Sequence, residues 1–400
     1  MKVLITFNTL TPYMSAIFTR IANSGIDLVI ALPRKKNSST VGKGVKNVDG
    51  KFNFRVVLME EIHAFYGKPK IKNLQEILIQ EQPDILVSIW PYFLQLYFER
   101  SLLRYIKSKG IKLVFKEIPF QVPPFGEITY FRRHPVYDEN MNLVSRGIFF
   151  YMRTVLIMFI RKYLYSKIDG TLNYISSAKN ILMTYGISEQ KIFVTYNSTD
   201  TDALLEQKKQ VEKLPALLPH SLRILHIGRL VKWKRVDLLI DAFVLVLKKL
   251  NNVELLIIGD GPELESLKMQ VYQLGIEKSV RFVGAVYDPL IIGQYMSVSS
   301  LYVLAGMGGL SINDAMTYTL PIICSVCDGT EKDLVQDGVN GFFFKEGDSE
   351  DLATKILFLL KNEKILCEFG KMSEKVILNN ININSVSDRY ITAFNKIYAV

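Results

Sequence analysis

The chain has 400 residues and a net charge of +10, with 49 Lys and Arg against 39 Asp and Glu. One hydrophobic core stops growing near about 250–300 residues, so this length predicts two domains. The composition, 49% hydrophobic and 22% charged, excludes a disordered or fibrous chain. Three cysteines exclude a disulfide framework and favour a reducing compartment.

The first half alternates short apolar runs with helical patterns. The start, MKVLITFNTL, lacks the long apolar run and cleavage site of a signal peptide, and it predicts a first buried strand. Further strands are predicted at DLVIAL, DILVSIW and KLVFKEI, with helices between them. Nearly continuous apolar strands separated by helices indicate a parallel sheet covered on both faces.

The longest apolar stretch, Gly147 to Tyr165, is interrupted by Arg153. A spanning helix needs about 20 apolar residues, so we do not expect this one to cross a membrane. Residues 100–170 hold 13 Lys and Arg against 5 Asp and Glu, and aromatic residues interleave with cations from Phe125 to Tyr165. Two interpretations remain open: a helix lying on an anionic membrane surface, and a core helix with solvated ends.

The strand–helix alternation starts again near residue 222. LRILHIGRL, VELLIIGDG, VRFVGAV, SLYVLAG and PIICS predict strands of a second doubly wound sheet. The predicted fold class is therefore α/β, with two Rossmann-like domains facing a cleft. The predicted boundaries are a first domain at 1–205, a linker at 206–221, a second domain at 222–385, and a C-terminal helix at 386–400 that packs on the first domain.

Cations follow the first strand of the second sheet. Gly228 and Arg229 end this strand, and Lys234 comes five residues later. Arginine forks and lysine ammonium groups at a strand end suit a diphosphate ligand. A solvated basic turn is the alternative interpretation.

Two glycine-rich turns lie farther along. Gly259 follows the next strand in a turn that is not GxGxxG, so it does not argue for a dinucleotide. Gly306, Gly308 and Gly309 precede a helix and would leave backbone amides uncovered for phosphate. In that helix Asp314 could accept from hydroxyl groups; Ser311, also a candidate, precedes it.

Two short patterns resemble metal sites only weakly. Asp200 and Asp202 form an Asp-x-Asp pattern, which we interpret as turn-shaping. Cys324 and Cys327 have CxxC spacing without a second pair, so strand-end cysteines are the better interpretation. No metal and no cofactor is predicted.

Jointly, four motifs carry a family resemblance. GRLVKWKRVDLLIDAF, VELLIIGDGPELESL, VRFVGAV and GGLSINDAMTYTLPII, the last followed by DGVNGFFF and GDSEDLATKI, resemble, in order and spacing, the C-terminal half of retaining family 4 glycosyltransferases of the GT-B fold. The resemblance implies that the first domain binds the acceptor and the second binds the nucleotide sugar. The similarity is strong from about Arg223 to Leu360 and loose in the first half.

The resemblance implies roles for individual residues. Arg229 and Lys234 would clamp the donor diphosphate, and Val283 and Val286 would lie against the nucleotide base. The family's Glu-x7-Glu motif falls on Gly306 and Asp314. Asp314 would hold the ribose, whereas Gly306 brings no carboxylate to the sugar. The backbone amides of the next residues, Met307, Gly308, Gly309 and Leu310, would replace that contact.

The resemblance also implies a mechanism without a protein nucleophile. The leaving diphosphate would take the acceptor proton, and Arg229 and Lys234 would stabilise its charge. Glu117, after the strand KLVFK, is the candidate carboxylate of the first domain. None of the four histidines, His63, His134, His220 and His226, matches a catalytic position convincingly.

The predicted function is transfer of a sugar, with retention, from a nucleotide diphosphate sugar to a glycan or lipid-diphosphate-linked glycan in surface polysaccharide synthesis. The predicted location is the cytoplasmic face of the inner membrane, with peripheral contact to anionic lipid. A catalytically impaired nucleotide-sugar-binding protein that supports a partner transferase is the alternative. There are two further alternatives. A sugar-nucleotide epimerase of the same fold would need no acceptor. A nucleic-acid-binding protein is suggested by the charge alone, and the sequence has no recognised nucleic-acid-binding motif.

Overall fold

The computed structural model describes residues 1–34, 52–138, 140–218 and 222–399. The chain divides into two compact units. Unit 1 comprises Met1–Pro135, Ser145–Asn197 and Ile383–Val400, and unit 2 comprises Val136–Val144 and Ser198–Asn382.

The strands in the described residues are β1 Lys2–Thr6, β2 Asp27–Pro33, β3 Arg55–Met59, β4 Glu61–His63, β5 Pro69–Ile71, β6 Ile85–Ile89, β7 Lys112–Lys116, β8 Gly170–Asn173, β9 Ile192–Val194, β10 Leu222–Ile227, β11 Val253–Ile258, β12 Val280–Gly284, β13 Leu301–Leu304, β14 Ile322–Cys324 and β15 Gly341–Phe343.

The α-helices in the same ranges are α1 Pro12–Asn23, α2 Leu74–Glu81, α3 Gln95–Phe98, α4 Arg100–Ser108, α5 Tyr130–Arg133, α6 Gly147–Tyr165, α7 Ala178–Met183, α8 Thr201–Val211, α9 Val236–Leu247, α10 Leu264–Gln273, α11 Pro289–Ser297, α12 Ser311–Thr317, α13 Thr330–Leu334, α14 Ser349–Lys361, α15 Glu363–Asn379 and α16 Ile383–Tyr398.

Unit 1 is built on a parallel sheet with the strand order β3-β2-β1-β6-β7-β8-β9. Its central strands are apolar on both faces, because helices cover both sides. The antiparallel pair β4–β5 is a feature that the sequence pattern did not predict. Helix α16 belongs to this unit, where the Lys116 ammonium donates to the Tyr390 hydroxyl at 2.7 Å.

Unit 2 is a second parallel sheet with the order β12-β11-β10-β13-β14-β15. The order reverses beside β10, which pairs with both β11 and β13. Ligands of open parallel sheets bind at the carboxyl ends of the strands next to such a switch point. A ligand is therefore expected at the loops after β10 and β13.

The predicted linker differs from the structure. Helix α8 covers Thr201–Val211, so the segment predicted as linker from residue 206 begins inside a helix. Asp200 caps this helix by accepting from the Ala203 amide at 3.3 Å. The units divide between Asn197 and Ser198 and again before Ile383, rather than at 205 and 386. Charge and two prolines suggested a linker there, but the helical pattern of TDALLEQKKQV was the stronger signal.

Candidate donor site in unit 2

The backbone after β11 approaches the end of β10 so closely that only glycine fits at position 259. A Cβ on Gly259 would lie 1.9 Å from the Gly228 carbonyl oxygen, and Gly259 has φ of +150°. Its amide donates to the Gly284 carbonyl at 2.9 Å. Gly228, Gly259 and Gly284 thus form a continuous backbone edge across β10, β11 and β12. Val283 lies in β12, whereas Val286 follows the end of that strand.

Gly306, which follows β13, also lies too close to neighbouring backbone atoms for a side chain to fit. A Cβ there would lie 2.2 Å from the Trp233 carbonyl oxygen and 2.6 Å from the Lys234 carbonyl carbon. The Met307 amide donates to that Trp233 carbonyl at 2.8 Å. The backbone after β10 therefore occupies the space that any side chain at position 306 would need.

The Lys234 side chain crosses to the glycine-rich loop. Its ammonium donates to the carbonyl oxygens of Met307 and Gly308, each at 2.7 Å. Burial lowers its pKa to about 8, although the nearby Cys327 and Asp328 act in the opposite direction. Arg229 is exposed beside Gly228, at the end of β10. Two of the predicted cations therefore lie at the strand end where the sequence placed them.

The amides of the glycine-rich loop divide into two groups. The Met307 amide is occupied by Trp233, so it is not available in this structure, contrary to the prediction. The amides of residues 308–311 have no acceptor among the described residues. Ser311 is held by the buried Tyr302, whose hydroxyl donates to its Oγ at 2.7 Å.

Asp314 lies in the first turn of α12 and is half-buried. Burial raises its pKa to about 6, while the nearby Thr199 hydroxyl acts in the opposite direction. Its Oδ1 is buried without a hydrogen-bond partner among the described residues. The same is true of Nδ2 and Oδ1 of Asn313. Buried polar groups in native structures nearly always have partners. Such orphaned atoms beside the strand ends are typical of a site that a polar ligand completes.

A further acidic loop, absent from the sequence predictions, follows β14. Cys327 and Asp328 lie on it, and Glu331 lies in the following helix α13. The Cys327 thiol donates to the Gly306 carbonyl at 3.0 Å. Glu331 is 1% exposed, and its Oε1 accepts from the amides of Cys327 and Gly329 at 2.8 and 3.1 Å. The one signal in the sequence was position: only Val326 and Cys327 separate DGTE from the predicted strand PIICS.

Glu117 requires a correction. It follows β7 as predicted, but its side chain is fully buried and accepts from Arg161 Nε at 2.9 Å and from the Tyr165 hydroxyl at 2.6 Å. The Arg161 guanidinium also stacks over Trp90, 4.1 Å from the ring centre. A carboxylate held in this way stabilises unit 1 and is not exposed to act as a base.

His226 and Cys324 are buried in unit 2, whereas His63 and His134 are exposed in unit 1. His226 is buried in β10, its Nδ1 lies 3.0 Å from the Val303 carbonyl, and burial lowers its pKa to about 4, which leaves the ring neutral. His220 lies outside the described residues. Cys324 is buried and unpaired with another cysteine. No cluster of three or more His, Cys, Asp or Glu with metal-binding geometry occurs in the described part of the chain.

Comparison with known proteins identifies the class of the second unit. Residues 216–376 match the model of the family described as glycosyl transferases group 1. This match supports a glycosyltransferase group 1 domain in this part of the chain and agrees with the family resemblance of the motifs.

The curated relatives agree with this class. Poly(ribitol-phosphate) alpha-N-acetylglucosaminyltransferase of Staphylococcus aureus is 29% identical over 172 residues, which are 43% of this chain but only 35% of that protein. An uncharacterized glycosyltransferase of Methanocaldococcus jannaschii is 25% identical and covers 79% of this chain and 80% of its own. The capsular polysaccharide biosynthesis glycosyltransferase CapM of Staphylococcus aureus is 28% identical over 48% of this chain and 50% of its own.

Solved structures extend the fold to both units. Anabaena HepE in complex with UDP has a TM-score of 0.67 at 16% identity, covering 99% of this chain and 100% of its own. Sucrose-phosphate synthase of Thermosynechococcus elongatus has a TM-score of 0.69 at 14% identity, covering 100% and 99%. These likenesses confirm the predicted GT-B fold of two Rossmann-like domains.

Proposed function

We propose that the protein is a glycosyltransferase that moves a sugar from a nucleotide diphosphate sugar to a glycan acceptor in surface polysaccharide synthesis. The observation that carries this is that Arg229 and Lys234 follow β10 and Asp314 lies in the helix after β13, within a region that matches the glycosyl transferases group 1. The named functions of relatives support the acceptor class: one acts on poly(ribitol-phosphate) and another in capsular polysaccharide synthesis.

Each group has a part in binding the donor. Arg229 and Lys234 offer guanidinium and ammonium donors to the diphosphate, whose charge increases as the sugar leaves. The Asp314 carboxylate would accept from the ribose hydroxyls, which would give Oδ1 the partner that it lacks. Val283 and Val286 offer apolar contact to the base. No metal is required, because the cations supply the positive charge.

Retention of configuration rests on the resemblance of the 223–360 motifs to the retaining family. The buried state of Glu117 agrees with a mechanism in which the diphosphate, rather than that carboxylate, takes the acceptor proton. The anomeric configuration of the product, read by NMR, tests this point directly.

A peripheral membrane contact is also proposed, through helix α6. Ile148, Phe149, Met152, Leu156 and Phe159 are 59–82% exposed. At about 100° per residue these five positions fall within one arc of about 100°. Arg153 and Lys162 flank this arc, one on each side, and both are exposed. We call these five residues the α6 stripe. An apolar stripe bordered by cations suits an anionic lipid surface.

The helix does not need to span the bilayer for this contact. Over the described ranges, no helix has both the length and the apolar character that a membrane crossing requires. A lipid-diphosphate-linked glycan acceptor at the cytoplasmic face of the inner membrane would be presented to unit 1 by such a contact.

A thermal-shift screen with UDP-, GDP- and dTDP-sugars tests the proposed function. One family of nucleotides should raise the melting temperature, and the matching nucleotide sugar should then be hydrolysed slowly or transferred to a glycan. Binding without any turnover would favour the alternative, a nucleotide-sugar-binding protein that supports a partner transferase. Absence of binding by all three families would overturn both.

A further inference from the structure

The donor site lacks a carboxylate for the sugar at position 306, and the structure explains why it cannot be restored there. The Trp233 carbonyl lies 2.2 Å from the place of a Cβ on Gly306. Sugar hydroxyls bound in a dry site need acceptors as well as donors, because a buried hydroxyl without a partner costs binding energy. Another acceptor close to the glycine-rich loop is therefore required.

Asp328 meets this requirement from the neighbouring strand. It follows β14, which pairs with β13 in the sheet. A Cβ placed on Gly308 would lie 3.3 Å from Asp328 Oδ1 and 3.6 Å from Oδ2. Gly308 is thus the position at which the loop leaves room for this carboxylate, two residues from Gly306.

The carboxylate is both anchored and accessible. Oδ1 accepts from the Thr330 amide at 2.9 Å, whereas Oδ2 has no hydrogen-bond partner among the described residues. The residues on either side, Cys327 and Gly329, donate their amides to the buried Glu331, which fixes the backbone around Asp328. The carboxylate is also close enough to Lys234 to act on the pKa of its ammonium.

We propose that Asp328 is the acceptor for the hydroxyl groups of the donor sugar, in place of the carboxylate missing at Gly306; this inference rests on the proposed function. Lys234, which binds the carbonyls of Met307 and Gly308, then lies between this sugar contact and the diphosphate. Glu331 is a positioning residue, because it holds the loop that carries Asp328. The specificity for the sugar thus depends on the loop after β14.

The test compares a nucleotide with its sugar derivative. Asp328→Asn keeps an oxygen for the Thr330 amide but loses the charge. Calorimetric titration with UDP and UDP-glucose, or with the corresponding pair that the screen identifies, should show UDP affinity within about twofold of the wild type. The affinity for the nucleotide sugar and its kcat/KM should fall at least about tenfold, the size expected for one hydrogen bond to a charged group. Asp348→Asn, which alters the cap of α14 in the same unit, is the matched control.

The outcomes separate this inference from the proposed function. If Asp328→Asn binds the nucleotide and the nucleotide sugar as tightly as the wild type does, the sugar contact alone is overturned. The same holds if the variant loses affinity for both ligands by the same factor. Failure of the wild type to bind any nucleotide would overturn the proposed function and the inference with it. Gly308→Ala provides a second variant: its methyl group, 3.3 Å from Oδ1, should push the carboxylate back by a few tenths of an ångström and produce a smaller loss with the same selectivity.

Discussion

The carbonyl oxygen of Trp233 lies where a side chain on Gly306 would begin, 2.2 Å from an ideal Cβ. It also accepts from the Met307 amide at 2.8 Å, so the contact is a fixed part of the loop. Glycine at position 306 is consequently a steric requirement of this loop.

Gly306→Glu should therefore fail to restore a family-like site. Insertion of a side chain into a backbone contact costs about 1–3 kcal/mol or more through displacement of its neighbours. We expect a lower melting temperature and loss of nucleotide binding, measured by calorimetry. Gly228→Ala is the control, because its Cβ would meet no atom closer than 3.6 Å. A stable Gly306→Glu variant with increased turnover would contradict the steric explanation.

Lys234 should make nucleotide binding dependent on pH. Its pKa is lowered to about 8, so the ammonium is charged below that pH and loses its proton above it. Diphosphate affinity should fall as the pH rises from about 7 to 9, and binding near pH 8 should take up a proton, since an anion favours the charged form. Titrations in buffers of different ionisation enthalpy measure this uptake.

Two variants of Lys234 separate charge from geometry. Lys234→Ala should lose at least tenfold in kcat at saturating donor, because the ammonium acts on the charge of the leaving group. Lys234→Arg should bind nucleotide without the decline above pH 8, since arginine remains charged. An unchanged pH profile in Lys234→Arg would exclude Lys234 as the titrating group.

Asp314 should lower the free energy of unfolding at neutral pH and increase the affinity for nucleotide. Its pKa is raised from 3.8 to about 6, so the folded protein holds this proton more tightly than the unfolded chain does. Its contribution to stability is thus full below about pH 4 and is lost as the pH rises through about 6. At pH 7 Asp314→Asn should stabilise the protein by on the order of 2–3 kcal/mol, at most, and weaken nucleotide binding at least tenfold. Denaturant unfolding at pH 5 and pH 7 checks the sign: the gain should be larger at pH 7.

Sequence patterns predicted the two parallel sheets because strand and helix periods are local properties. The sequence also made Lys234 and Asp314 site candidates, and their roles in binding the donor stay predictions. The patterns did not predict that a side chain at position 306 would have no room. The obstacle is the carbonyl of Trp233, which lies 73 positions earlier, in the loop after β10. Asp328 was missed because an aspartate in a turn has many ordinary roles, and only the pairing of β14 with β13 makes its position informative.

Glu117 illustrates the same limit. A carboxylate after a strand of a parallel sheet was a reasonable candidate, but burial by Arg161 and Tyr165 is a long-range property. Glu117→Gln should cost about 3–5 kcal/mol, because Arg161 would be left buried without its partner charge. Turnover per folded molecule should remain near that of the wild type.

The exposed pair Arg133–Glu127, at 2.8 Å, supplies the control for Glu117. Exposed ion pairs contribute about 0–1 kcal/mol, so Glu127→Gln should leave the denaturation midpoint almost unchanged. A Glu117→Gln variant that keeps its stability but loses turnover would return Glu117 to the catalytic candidates.

The α6 stripe should bind vesicles that contain anionic lipid. Burial of apolar side chains and attraction of flanking cations both favour the surface, and salt screens only the second. Phe149→Ser with Met152→Ser should reduce co-sedimentation with phosphatidylglycerol vesicles at all salt concentrations, whereas Arg153→Gln should reduce it mainly at low salt. Met269→Ser, which removes an apolar side chain 55% exposed on α10, is the matched control. Equal binding by the wild type to neutral and anionic vesicles would leave no role for the flanking cations, and binding to neither would remove the proposed membrane contact.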